Sequence, residues 1–141
     1  MRRYLVVANQ TLGGQHLIEL LETRVADGPC ALHVLVPASV DKSGWVHDDA
    51  SDRDLAAERL AKARERFSAL GVEVTGEIGD HRPLDAILDV LRKEEFDEII
   101  LSTLPPGASR WLRTDLVSRV ERAASVPVTH VVARPAPVRA S

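Results

Sequence analysis

The chain has 141 residues, a length that suits one domain and is too short for two comfortable ones. Its formal net charge is −3 and it carries no long basic block, so we do not expect a nucleic-acid partner. With one cysteine, Cys30, an internal disulfide is excluded, and with aromatic residues at only 4% the core must be aliphatic.

The amino terminus does not have the pattern of an export signal. The apolar run behind its basic residues ends at Ala8, which is shorter than a signal peptide needs. No window approaches the roughly 20 apolar residues of a membrane span. A free thiol is typical of a reducing compartment. These features predict a cytoplasmic protein without a membrane partner.

Short apolar runs alternate with segments of helical periodicity along most of the chain. The predicted strands cover residues 4–8, 31–36, 72–78, 98–101 and 126–132. The predicted helices carry apolar faces within residues 17–25, 56–70, 84–91 and 112–123. Expected helix N-caps are Ser51, Asp80 and Ser109. Residues 1–133 are predicted to form one α/β domain, and residues 134–141 a flexible carboxyl-terminal tail.

This alternation predicts right-handed βαβ units and a doubly wound parallel sheet with helices on both faces. The third strand alternates apolar and polar residues, which favours a sheet edge. The order 3-2-1-4-5 satisfies this pattern. It places the reversal of strand order between the first and fourth strands, where ligands bind in such sheets.

The loops at this reversal supply the candidate ligand-binding residues. A glycine pair before the first helix allows close approach to backbone amides, and two arginines one turn apart could pair with an anion. The candidates are Ala8, Asn9, Gly13, Gly14, Ser102, Thr103, Gly107, Ser109, Arg110 and Arg113. In the irregular stretch 38–49, Trp45 either plugs the core or covers a planar ligand. His47, Asp48 and Asp49 are interpreted as a solvated loop and His33 as a core histidine, so we expect no metal site.

The order of these pieces resembles the universal stress protein family over residues 3–133. The similar segments are Ala31-Leu32-His33-Val34, Gly79-Asp80, Phe96-Asp97-Glu98-Ile99-Ile100 and Val126-Pro127-Val128. The resemblance implies a 3-2-1-4-5 sheet and a homodimer. It also implies ATP binding in members that carry Gly-x2-Gly-x9-Gly-Ser/Thr after the fourth strand.

This sequence departs from that ATP motif. Ser102-Thr103-Leu104-Pro105 stands in place of the first glycines, and Thr114-Asp115 or Asp115-Leu116 in place of the Gly-Ser/Thr pair. Proline has no amide proton to offer a phosphate, and the carboxylate of Asp115 would repel one.

Two hypotheses about function follow, both with a regulatory homodimer. In the first, the protein is a non-enzymatic, stress-linked interaction module whose nucleotide site is atypical or lost. In the alternative, ATP, AMP or another small anionic ligand binds between the first and fourth strands and acts as a switch. No catalytic motif is found. The open edge of the last strand is the expected dimer interface, with Val128, Thr129, Val131 and Val132.

Overall fold

The computed structural model of the protein describes residues 1–41 and 49–133. In chain order the elements are β1 (Arg2–Val7), α1 (Gln15–Ala26), β2 (Cys30–Pro37), α2 (Asp49–Ser68), β3 (Glu73–Gly79), α3 (Pro83–Lys93), β4 (Glu98–Thr103), α4 (Arg110–Arg113), α5 (Leu116–Ala123) and β5 (Val128–Val132). None of the helices in the described ranges is both long and apolar enough to cross a membrane.

The strands form one parallel sheet in the order β3-β2-β1-β4-β5, which confirms the predicted fold class and strand order. The central strand β1 is buried on both faces, as its unbroken apolar run predicts. The polar and apolar residues of β3 alternate because this strand lies at the edge.

Helices cover both faces of the sheet and divide the core into two clusters. On one face, α1 and α2 pack their apolar sides on the sheet, with Leu17, Leu21, Ala56, Ala63 and Phe67 among the buried residues. On the other face, α3, α4 and α5 contribute Ala86, Ile87, Val90, Trp111, Leu116 and Val120. Alternate residues of β1 face the two clusters, so β1 joins the two halves of the core.

Beyond Ser109 the structure differs from the sequence prediction. One helix was expected to carry the apolar face 112–123, but the chain forms α4 and α5 with a break at Asp115. The backbone of Asp115 is left-handed, with φ 58°. This conformation is uncommon for a residue with a side chain and interrupts the helical hydrogen bonds. The break lets Trp111 and Leu116 both reach the core.

Three predicted element boundaries are also wrong. Helix α2 begins at Asp49, two residues before the expected cap Ser51. The N-cap of α3 is Arg82, whose amide donates to the Asp80 carboxylate at 2.8 Å. Strand β4 continues through Thr103, because Ser102 and Thr103 pair with β5 rather than entering the loop.

Some predictions concern residues that the structure does not describe. Trp45, His47, Asp48 and the tail 134–141 lie outside the described residues, and Asp49 is described only as the first residue of α2. Cys30 is buried, as expected, and burial raises the pKa of its thiol.

The contact between β3 and α3 gives a test of the packing. A Cβ atom added at Gly79 would lie 2.7 Å from Ala86 Cβ and 2.9 Å from Leu35 Cδ1. We expect Gly79→Ala to lower the free energy of unfolding by about 1–3 kcal/mol, because the neighbouring side chains must shift. Urea denaturation measures this value. The control is Gly13→Ala, whose added Cβ would lie 3.8 Å from Arg66 Nη1; equal stability of the two variants would contradict the prediction.

Candidate functional site

The carboxyl ends of β1 and β4 lie side by side, with Val7 opposite Leu101, so the predicted crevice is present. Residues 38–41, which follow β2, run beside this crevice and are all buried. Asn9, at the end of β1, holds them there. Its side-chain amide donates to the carbonyl oxygens of Pro37, at 2.7 Å, and Ser39, at 3.0 Å.

The side-chain oxygen of Asn9 also makes a hydrogen bond. Arg59 of α2 donates from Nη1 to Asn9 Oδ1 at 2.5 Å. Burial lowers the pKa of Arg59, since a desolvated guanidinium favours loss of its proton. The buried Asn9 therefore ties β1, α2 and the segment after β2 together. Ala8, next to it, is fully buried and its amide donates to Leu35 O at 3.3 Å.

The Asp41 carboxylate binds hydrogen-bond donors of the segment that follows β4. Its carboxylate accepts hydrogen bonds from the Leu104 amide at 3.0 Å, the Trp111 amide at 2.7 Å and the Ser109 hydroxyl at 2.8 Å to each oxygen. The amide of Asp41 donates to Gln10 Oε1 at 2.6 Å, which fixes the residue from the β1 side. Asp41 is 1% exposed. Three donors after β4, two amides and one hydroxyl, therefore converge on an internal carboxylate.

Two opposing effects act on the Asp41 carboxyl group. Burial raises its pKa, because the charged form loses its hydration. The amides of Trp111 and Leu104 and the hydroxyl of Ser109 act in the other direction, since they stabilise the carboxylate. The net direction is upward.

The polar side chains at the end of β4 form hydrogen bonds with neighbouring side chains. Ser102 Oγ lies 2.7 Å from Thr11 Oγ1 and 3.0 Å from His16 Nε2. Thr103 Oγ1 lies 2.8 Å from His130 Nε2 on β5. Both Ser102 and Thr103 are fully buried, so these predicted ligand-binding residues connect the sheet to the first helix and to the last strand.

The predicted glycine pair also makes internal contacts. Gly13 O accepts a hydrogen bond from Arg66 Nη1 at 2.6 Å. Gly14 is the N-cap of α1, and its amide donates to Thr11 O at 3.0 Å. A Cβ at Gly14 would lie 2.2 Å from His16 Cε1, so glycine there makes room for the imidazole.

The remaining predicted residues lie around α4. Ser109 caps this helix, as expected, by accepting from the Leu112 amide at 3.1 Å. Gly107 is exposed with φ 91°, a left-handed conformation that glycine adopts without strain. Arg110 and Arg113 lie on the exposed side of α4.

Arg110 borders a cleft between the amino terminus of α3 and the helices α4 and α5. The cleft has a volume of about 340 Å³ and is also lined by Arg82 and Arg119. Ser39 lies in its wall. The Ser39 hydroxyl is buried and makes no hydrogen bond with any described residue. Arg82 pairs with Asp80 and with Asp85, a carboxylate that also lines the cleft. The guanidinium groups of Arg110 and Arg119 and the buried Ser39 hydroxyl are the lining groups that suit a small anion.

Sequence reasoning missed Asp41, Ser39 and His16. The only local signal at Asp41 is a carboxylate directly after the apolar Val40, in the irregular stretch that follows the second predicted strand. Nothing local identifies its partners, which are 63 to 70 residues away in the chain. His16 lies on the buried face of α1, where its ring reaches Ser102 across the crevice.

The family comparison agrees with this topology. The model of the universal stress protein family matches residues 7–131. The chain belongs to the universal stress protein family. No curated protein matches the chain.

Solved structures of universal stress proteins share the fold. One from Archaeoglobus fulgidus has a TM-score of 0.63 at 15% identity, with 93% of each chain covered. A family member from Arabidopsis thaliana with AMP bound has a TM-score of 0.59 at 16% identity, covering 95% of this chain and 93% of that one. The A. fulgidus protein in complex with dAMP has a TM-score of 0.57 at 20% identity, covering 93% and 97%.

The burial of His130, which contacts Thr103, predicts that the stability of the protein depends on pH. Burial lowers the pKa of His130 below its ordinary value, so the folded protein favours the neutral ring and the unfolded chain binds the proton more readily. The resulting stability is present above about pH 6.5 and is lost as the pH falls towards the lower folded value. We expect His130→Gln to reduce the loss of thermal stability in this window, measured by melting at a series of pH values. His81→Gln, at a largely exposed position, is the control; an unchanged profile in His130→Gln would contradict this account.

Proposed function

We propose that this universal stress protein is a non-enzymatic regulatory module of the cytoplasm whose nucleotide site is closed by its own carboxylate. The observation that carries the proposal is the set of hydrogen bonds to Asp41 from Leu104, Ser109 and Trp111. In members of the family with the ATP motif, the loop after β4 is the part expected to meet phosphate. Here an internal carboxylate takes three donors at and beside that loop, and a phosphate would have to displace it against charge repulsion.

The buried Ser102 and His16 support a role without catalysis. A serine beside a histidine is a feature of nucleophilic catalysis, and these two side chains lie 3.0 Å apart. However, Ser102 has no exposed surface and also contacts Thr11, so a substrate carbonyl has no approach to Oγ. Amides that could stabilise an oxyanion near β4, those of Leu104 and Trp111, donate to Asp41 instead.

A test of this closed site compares wild type with Asp41→Ala in calorimetric titrations with ATP, ADP and AMP. We expect no binding by wild type at millimolar nucleotide. We expect measurable binding by Asp41→Ala, because the substitution frees the Leu104 and Trp111 amides and removes a negative charge. Asp54→Ala on the exposed side of α2 is the matched control and should behave as wild type. Circular dichroism verifies folding, and Asp41→Asn retains the side-chain shape if the alanine variant does not fold.

The second candidate function is that of a ligand-dependent switch, and the cleft beside Ser39 favours it. Similar universal stress proteins have been solved with AMP or dAMP bound, so an adenine nucleotide is the first ligand to consider. Its phosphate would pair with Arg110 and Arg119 and satisfy the Ser39 hydroxyl. In the same titrations, stoichiometric binding by wild type that is lost in Arg119→Ala, but retained in Arg64→Ala on α2, would replace the closed-site proposal with this one.

The homodimer remains part of the proposal, and the position of β5 supports it. This strand ends the sheet, so one side of its backbone is open for pairing with a second copy. Val128 and Val131 pack partly on the two core clusters of their own chain. Thr129 donates its hydroxyl to Glu98. Val132, at 37% exposed, is the predicted interface residue whose side chain is most available to a partner.

The dimer predicts the effect of a charge at this edge. We expect wild type to sediment as a dimer at micromolar concentration. Val132→Arg should shift it towards monomer, because a buried guanidinium without a partner opposes edge pairing. Ala61→Arg introduces the same charge on the exposed side of α2 and should leave the dimer intact. Sedimentation of wild type as a monomer would contradict the dimer.

A further inference from the structure

A second cluster of ionisable side chains lies away from the crevice, on the neighbouring strands β2 and β3 and at the end of α3. It is formed by His33 of β2, Glu77 of β3 and Glu94, which directly follows α3. One ligand atom from each residue, an imidazole nitrogen or a carboxylate oxygen, lies within 4.8 Å of the other two. Three residues from separate segments of the chain therefore present possible metal-binding atoms to one point.

The His33 ring is held with one nitrogen facing the two carboxylates. Its Nδ1 lies 2.7 Å from Thr75 Oγ1, and its ring stacks on Phe96 with centroids 5.9 Å apart. Its Nε2 is buried and makes no hydrogen bond with a described residue, although Glu77 Oε2 lies at 3.4 Å and Glu94 Oε2 at 3.8 Å. With the proton on Nδ1, the lone pair of Nε2 points towards both carboxylates.

The two carboxylates are oriented by cations on their far sides. Lys93 Nζ lies 3.3 Å from Glu77 Oε1, and Arg3 Nη2 lies 2.6 Å from Glu94 Oε1. The hydrogen bond from Arg3 lowers the pKa of Glu94, so this group stays ionised. In each glutamate the second oxygen, Oε2, is the one that faces His33.

We propose that His33, Glu77 and Glu94 form a binding site for a divalent transition metal of the zinc class. Nitrogen and carboxylate oxygen are ligands of Zn²⁺, and sites with three protein ligands keep a fourth position for water or another group. Ligand atoms of a tetrahedral zinc site are about 3.3 Å apart. The distances of 3.4 and 3.8 Å from His33 Nε2 are close to that value, and the partly exposed glutamate side chains can adjust the distance between their own oxygens.

The contacts around the site supply the other features that a metal site needs. Thr75 acts on the second nitrogen of His33 and fixes the ring, as outer partners of metal-bound histidines do. A cleft of about 230 Å³, lined by His33, Thr75, Glu94 and Glu73, gives a path from solvent. The site shares no residue with the crevice, so a test of metal binding does not depend on whether the proposed function is correct.

The test uses untagged, full-length protein from which metal has been removed with a chelator. Titration with Co²⁺, followed by competition with Zn²⁺, reports coordination through the visible absorption of four-coordinate cobalt. We expect one equivalent to bind with that spectrum, and Zn²⁺ to displace it and raise the melting temperature. Thr75→Val should weaken binding by about 10–100-fold, since His33 loses the partner that orients it.

Two glutamate variants distinguish a metal site from an ion-pair network. Glu77→Gln preserves the size of a partly exposed side chain and should weaken metal binding at least as much as Thr75→Val. Glu95→Gln, next to Glu94 but exposed, is the matched control and should bind like wild type. The proposal is overturned if wild type gives no four-coordinate cobalt spectrum, or if Glu77→Gln and Glu95→Gln bind Zn²⁺ equally, because the cluster would then be only a set of ion pairs.

Discussion

The hydrogen bonds to the Asp41 carboxylate determine how the carboxyl ends of the strands are closed. In a parallel sheet, the backbone amides of the loops that follow the strands lie outside the regular hydrogen bonds of the sheet and need other acceptors. After β4 those amides belong to Leu104 and Trp111, and the carboxylate satisfies both. Through Gln10 and the neighbouring Asn9, the same segment is attached to β1. The crevice is therefore bordered by a segment of the chain that is itself fixed.

This arrangement explains how the family fold can be retained while a family feature changes. Glycines in a phosphate-binding loop expose amides to a ligand, whereas here Pro105 and Pro106 lack that donor and Ser109 turns its hydroxyl to Asp41. A separate cleft at the same end of the sheet is lined by Arg82, Arg110 and Arg119.

Most of the fold could be predicted because its signals are local. Unbroken apolar runs identify buried strands, and helical spacing identified Ala56, Ala63 and Phe67 as the buried side of α2. The predictions that failed depended on distant contacts. The continuous helix after Ser109 fails because Trp111 and Leu116 must both reach the core, which requires the left-handed Asp115 between them. Ser102 and Thr103 resembled loop residues in the sequence but extend β4, since β5 supplies their backbone partners.

The sequence by itself determined the class of the fold, the order of the strands and the family, because hydrophobic periodicity and the order of short segments are properties of neighbouring residues. Only the tertiary structure decided which polar groups meet. Asp41 and Trp111 are 70 residues apart, and the cluster of His33, Glu77 and Glu94 draws on two strands and the residue that follows α3. Such pairings depend on strand register and helix placement, and a buried carboxylate or imidazole takes its role from the donors and acceptors that the register brings to it.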